Sequence, residues 1–220
     1  MGIKKLDLNF HNDTSISERE YSVLNNSSVL NWYLKRFIDI IGACAGIILT
    51  FPIILFFSIL IKLDSPGPVF FLQERVGLNG KVFNIIKLRS MRVNAEIGGQ
   101  SWAQKNDVRI TGIGKFIRKT RIDEFPQFIN VLTGEMSLIG PRPEVPFFTK
   151  QFSKEILGFE DRLMVKPGIT GWAQINGGYD LSAKQKLEYD MFYIRNWSFL
   201  LELEIVIKTI KTIFNGNGAR

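Results

Sequence analysis

Apolar and polar positions divide this chain of 220 residues into regions of different period. Residues 1–30 are rich in Asn, Ser and charge and show little periodicity, which predicts a loosely ordered lead with a short helix near Ile16 to Leu24. From Ile40 to Ile61 the chain carries no charge, and Lys62 and Asp64 close the run. Its 22 or so residues make roughly 33 Å of helix, enough for a hydrocarbon core of about 30 Å. Pro52 falls near the middle, where it removes a backbone donor and clashes with the preceding turn. Two membrane arrangements suit that pattern, a spanning helix with a kink or a helix–break–helix that enters and leaves by one face; a buried core helix is the plainer alternative. Lys35 and Arg36 precede the run and Lys62 follows it, so charge gives no orientation, as a segment with both ends in the cytoplasm requires.

After Ser65-Pro66-Gly67-Pro68 the period changes to that of strands. Val69 to Leu72 and Val82 to Ile86 predict a hairpin around Asn79-Gly80, a pair suited to positive φ. Residues 90–109 are polar and read as a loop with Trp102 as an anchor. From Gly114 the spacing of Ile117, Phe125, Phe128, Ile129 and Leu132 is helical, interrupted by Pro126; Gly134 to Pro143 reads as turns. A further helix is expected over Lys184 to Arg195, capped by Asp180 or Ser182. The last, Phe199 to Phe214, repeats Leu200, Leu203, Val206, Ile207 and Ile210 along one face. That pattern serves either a core or a membrane surface. The predicted class is α+β, mainly helical, with a small β-hairpin, an N-terminal re-entrant membrane helix–break–helix and amphipathic interfacial helices. Its divisions are a lead (1–30), the membrane helix (31–64), a catalytic domain (65–214) and a short tail (215–220).

Composition narrows the chemistry. The single cysteine, Cys44, lies inside the apolar run, and the single histidine, His11, lies in the polar lead. Neither a disulfide framework nor a Ser–His or zinc constellation can be assembled from these. Any nucleophile or metal ligand must come mainly from carboxylates, and the matching metal is then a hard cation such as Mg²⁺. The net charge of +7 calls for an anionic partner. Nucleic acid is disfavoured, because no basic run interleaves with aromatics and the apolar segment points to lipid.

Asp123 and Glu124 stand beside Arg118, Lys119 and Arg121 and just before Pro126. Neighbouring helical positions point about 100° apart, so the pair suits two roles, attack or metal ligation by one and positioning by the other. Pro141-Arg142-Pro143 holds an arginine between two fixed φ angles, a low-entropy clamp for phosphate. The loop Lys166 to Gly177 offers glycines for close backbone approach, with Lys166 to meet phosphate and Trp172 to stack or pack. Glu135 and Glu144 are read as partners of basic residues.

These stretches together resemble the bacterial sugar transferase family, the monotopic phosphoglycosyl transferases. The residues that carry the likeness are Lys35 to Asp39, Pro52, Gly67 to Gly77, Phe83 to Met91, Arg121 to Gln127, Gly134 to Pro143, Pro167 to Asn176 and Tyr189 to Ser198. They cover about Trp32 to Phe214. One departure is Phe51 directly before Pro52, where the family often has a small hydroxyl residue; here Thr50 is one position earlier. The resemblance implies an enzyme of the bacterial inner membrane, anchored by a re-entrant helix with its catalytic domain in the cytoplasm. It would transfer a sugar-1-phosphate from a UDP-sugar to undecaprenyl (polyprenyl) phosphate, release UMP, and supply downstream glycosyltransferases in surface glycan assembly. By the same resemblance Asp123 is the nucleophile of a covalent phosphosugar intermediate, Glu124 its partner at Mg²⁺, and Arg118 and Arg142 hold phosphates. A non-catalytic, membrane-anchored binding protein for acidic lipids or phosphorylated ligands is the alternative.

Overall fold

The structure, a computed structural model, describes residues 29–93, 95 and 107–215. The lead with its expected helix, and Trp102, lie outside these residues. Helix α1 (Val29–Asp64) is followed by a hairpin of β1 (Phe70–Val76) and β2 (Val82–Leu88), then α2 (Gly112–Lys119) and α3 (Gln127–Thr133). Next come β3 (Ser137–Ile139), α4 (Pro146–Glu155), β4 (Gly168–Thr170), α5 (Trp172–Ile175), α6 (Ala183–Arg195) and α7 (Phe199–Asn215). The architecture is α+β and mainly helical.

The hairpin pairs antiparallel from Phe70 with Leu88 to Val76 with Val82, longer at both strands than the apolar runs predict. Asn79 and Gly80 take φ of 53° and 76° at its turn, as the Asn-Gly pair predicts. The polar stretch after it is closed at its ends, where Met91 and Ile110 bridge. Thr111 caps α2 by accepting from Gly114 N at 3.0 Å, and Pro126 separates a short 3₁₀ turn from α3. Ser182 and Gln185 form a capping box on α6, so of the two expected caps Ser182 serves, while Asp180 belongs to the preceding turn.

Where the sequence predicts only turns, β3 and β4 pair in parallel. A Cβ on Gly168 or Gly171 would collide with the backbone of Gly140. Gly168 and Gly171 thus admit another backbone, while Ala173 and Gln174 of the same loop line the Asp123 cavity. Helix α4 was not foreseen either, although Phe148 and Phe152 stack along one of its faces.

Helix α1 continues through Pro52 as one helix of 36 residues, so the expected break is absorbed within the helix. Proline costs one backbone donor here, and the Thr50 hydroxyl bonds back to Gly46 O at 2.7 Å, a contact that favours bending over interruption. Ala43, before the proline, packs with Phe83, Val131 and Met136; Phe57 and Ile61, after it, pack with Leu88 and Ile117. Both halves of α1 therefore rest on the same domain. Arg36 donates to Val131 O and Leu132 O, and Asp64 accepts from Ile113 N. The most apolar stretch of α1 is only 11% buried, with Ile48, Leu49 and Phe51 among its exposed side chains. Helix α7 turns Ile205 inward and leaves Leu200, Leu203, Ile207 and Ile210 outside. So much continuous exposed apolar surface fits a lipid interface better than water.

Candidate active site

The site begins with a backbone reversal. At the end of α2, Arg121 adopts the left-handed conformation, φ 57°, which a non-glycine residue takes at a cost of about 1–2 kcal/mol. The reversal folds the Ile122–Glu124 turn inward, so that Asp123 and Glu124 are only 7% and 8% exposed. Asp123 lines a cavity of about 330 Å³. Cations dominate its walls: Arg75 from β1, Lys87 from β2, Arg118, Arg121, Arg142, Arg162 and Lys186, against the carboxylates of Asp123 and Glu144.

The two adjacent carboxylates differ in their partners. Glu124 Oε1 accepts from Arg142 Nη2 at 2.6 Å and lies 3.4 Å from Lys87 Nζ; its Oε2 is 3.9 Å from Arg121 Nη1. Burial pushes the Glu124 carboxyl up, but the charges of Arg142 and Lys87 outweigh it and hold Glu124 well below the usual range. Asp123 is pushed up to about 6, chiefly by burial and then by the Glu124 charge, with Lys87, Arg118 and Arg142 pulling the other way. At neutral pH both are ionised. Glu124 is clamped, and Asp123 faces the cavity as an incompletely compensated carboxylate, a state that favours attack on an electrophile.

Arg142 is held from behind. Arg162 Nη2 donates to its carbonyl at 2.9 Å, Arg75 Nη1 to Pro143 O at 2.9 Å, and Gly168 N to Pro141 O at 2.9 Å. Arg162 pairs with Asp190 of α6 at 2.6 Å, both almost fully buried. Lys186, one turn earlier on the helix, pairs with Glu144 at 3.3 Å. The expected pairing of Glu144 with a basic residue is therefore present. Glu135 differs, accepting from Asn130 and Thr133.

Among the described residues, no three His, Cys, Asp or Glu side chains gather into a metal cage. The donor set that could hold a cation is Asp123 together with Glu124 Oε2, the less engaged of that residue's oxygens. This fits Mg²⁺, which is commonly bound by one or two carboxylates plus substrate phosphates and keeps water in its remaining positions.

The structure thus brings together Asp123, Glu124, Arg118 and Arg142. It places Lys166 elsewhere, in a second cavity that shares no lining residue with the first. Trp172 stacks on Phe192 with ring centroids 5.2 Å apart and carries Lys208 over its face at 4.8 Å, so of its two expected uses, stacking on a ligand or packing, the structure shows packing. Lys87, Arg75, Arg162 and Asp190 escaped sequence reading. For Lys87 a signal existed: strand alternation places it on the face of the buried Phe83 and Ile85, an unusual position for a lysine.

The profile of the bacterial sugar transferases matches residues 30–216. The chain belongs to the bacterial sugar transferase family. A UDP-N-acetylgalactosamine-undecaprenyl-phosphate N-acetylgalactosaminephosphotransferase of Aeromonas hydrophila is 52% identical over 191 residues, covering 86% of this chain and 45% of the relative. A UDP-glucose:undecaprenyl-phosphate glucose-1-phosphate transferase of Escherichia coli (strain K12) is 43% identical over 188 residues, 83% of this chain and 40% of the relative. An uncharacterized sugar transferase, EpsL, of Bacillus subtilis (strain 168) is 41% identical over 189 residues, 84% of this chain and 89% of the relative. The chain therefore spans less than half of the first two. The described part of the matched region contains every residue of the carboxylate–arginine site.

Proposed function

We propose that this bacterial sugar transferase moves a sugar-1-phosphate from a UDP-sugar to undecaprenyl phosphate through a covalent intermediate on Asp123. A carboxylate oxygen of Asp123 attacks the sugar-bearing phosphorus, the bond to the other phosphate breaks, and its electron pair leaves with UMP. An oxygen of the lipid phosphate then attacks the same phosphorus, breaks the bond to Asp123 and restores the carboxylate. No net proton is consumed. The observation that carries this reading is the contrast between the carboxylates: Glu124 is clamped by Arg142 and Lys87, while Asp123 faces the cation-lined cavity. Arg118 and Arg142 border that cavity and offer donors to both anionic substrates. Mg²⁺, held by Asp123 and Glu124 with substrate phosphate oxygens, would add positive charge at the reacting phosphorus.

The exposed apolar faces of α1 and α7 support a seat in the bacterial inner membrane, with the catalytic domain on the cytoplasmic side where UDP-sugars are available. Contact of both halves of α1 with one domain supports re-entry over spanning. The relatives' names differ in the sugar they carry, so the donor is assigned only as a UDP-sugar.

The test is incubation of detergent-purified protein and Asp123→Asn with a panel of UDP-sugars and Mg²⁺, with and without undecaprenyl phosphate. UMP and intact protein mass are followed. The native protein should gain one sugar-phosphate mass without the lipid and lose it when the lipid is added. Asp123→Asn should form no adduct and lose activity by a factor on the order of 10³ or more. Turnover by Asp123→Asn at the native rate would exclude the covalent route; lipid binding without UMP from any donor would favour a non-catalytic anchor protein.

A further inference from the structure

The second cavity, of about 370 Å³, lies beside the first turns of α1. Trp32, Arg36, Lys166, Tyr193, Arg195 and Trp197 are among its lining residues. Arg36 Nη2 and Lys166 Nζ stand 3.5 and 3.6 Å from the point where a side chain on Gly134 would begin, so the two cations face one space that this glycine leaves open. Arg36 is oriented by its bonds to the last carbonyls of α3. The neighbouring acid, Asp39, is engaged by Lys35, Ser137 and the Leu138 amide. Burial, and then the charge of Arg36, hold the Lys166 ammonium below its usual range, against a smaller pull from Asp39. Two cations have been brought together here without a carboxylate between them, and a bound anion would stabilise both.

The position of the cavity says which anion. Exposed apolar side chains run along α1 from Leu30 and along α7 from Phe199, and the uncharged run of α1 starts at Ile40, just past Lys35, Arg36 and Asp39, so the cavity sits where the charged ends of the two lipid-facing helices meet the polar domain. Trp32 and Trp197 are at that level, the depth at which tryptophan concentrates in membrane proteins. We propose that Arg36 and Lys166 bind the phosphate of an anionic membrane phospholipid, a seat separate from the one at Asp123. This inference rests on the membrane seat of α1 and goes beyond the transfer reaction.

The test is native mass spectrometry of the full-length protein from a neutral maltoside detergent. It is titrated with dihexanoyl phosphatidylglycerol, dihexanoyl phosphatidylcholine, inorganic phosphate or undecaprenyl phosphate. The native chain should retain a phosphatidylglycerol more tightly than phosphatidylcholine or free phosphate. Lys166→Gln should weaken that retention by about tenfold, the loss of a charged hydrogen bond, while Lys166→Arg keeps it. Asp123→Asn should retain the lipid as the native chain does, which separates this seat from the transfer reaction. Circular dichroism of Lys166→Gln should match the native chain. Equal retention by Lys166→Gln, or an equal loss in Lys208→Gln, overturns the site. Lys166-dependent binding of inorganic phosphate without the lipid would assign it to a soluble anion instead. Lys166-dependent preference for undecaprenyl phosphate would make it the acceptor's seat and also overturn the proposal.

Discussion

Arg121 links backbone to chemistry. Its left-handed φ of 57° turns the chain so that Asp123 and Glu124 enter the domain, and its guanidinium adds a third cation near Glu124. Arg121→Gly should relieve the backbone and leave thermal stability equal or higher, while Arg121→Val should lower it by about 1–3 kcal/mol. Thermal unfolding in detergent distinguishes the two. The ion pair of Arg162 and Asp190 supports the carbonyl of Arg142 from the interior. Asp190→Asn would strand a buried guanidinium and should cost about 3 kcal/mol; pairing Arg162→Met with Asp190→Leu should recover much of that loss. The carboxylate pair and Arg142 stood out in the sequence, because adjacent acids among several cations and an arginine between two prolines are uncommon patterns, whereas Arg118 entered through the family resemblance. Lys166 and Trp172 were misplaced. A lysine or tryptophan in a glycine-rich loop looks the same whether its side chain faces a substrate or, as here, lines a separate cavity or packs on Phe192.

At the scale of elements, α1 decides how the domain meets the membrane. Length and apolarity allow a span, but Ala43 and Phe57 lie on either side of Pro52 and both pack on the hairpin's domain. Both ends of the helix should therefore face one side. With Cys44 replaced by serine, single cysteines at Asn31 and Pro66 should both react with a membrane-impermeant maleimide in inside-out vesicles. Neither should react in right-side-out vesicles; labelling of one position in each preparation would mean that α1 spans. Helix α7 carries the same message on its outer face. Its periodicity was legible, yet whether Leu203 and Ile207 meet core or lipid depended on which side of the helix Ile205 occupies. The pairing of β3 with β4 was illegible, since each strand has three residues and parallel partners lie far apart in sequence.

For the molecule as a whole, the net charge of +7 is distributed unevenly: cations gather around the Asp123 cavity and again beside α1. Buried ion pairs make stability depend on pH. Burial pushes Glu144 up, but Lys186 and Arg162 overcome it and hold the carboxyl below its ordinary range. A depressed folded-state value means that this stabilisation is present above the ordinary glutamate range and is lost as pH falls through the folded value. The melting temperature of the native protein should therefore fall faster on acidification than that of Glu144→Gln, as thermal scans from neutral to acid pH would register. Sequence alone narrowed the class of chemistry, because the single cysteine and histidine lie in the apolar run and the lead, which leaves mainly carboxylates as nucleophile or metal ligand. It also determined the membrane helix and the hairpin, which arise from local periodicity and turn preference. Only tertiary structure decided which carboxylate is clamped and which faces the cavity, because Arg142 and Lys87 reach Glu124 from separate elements. It likewise separated Lys166 from the site, since that distance depends on how β3 and β4 pack and no local pattern records it.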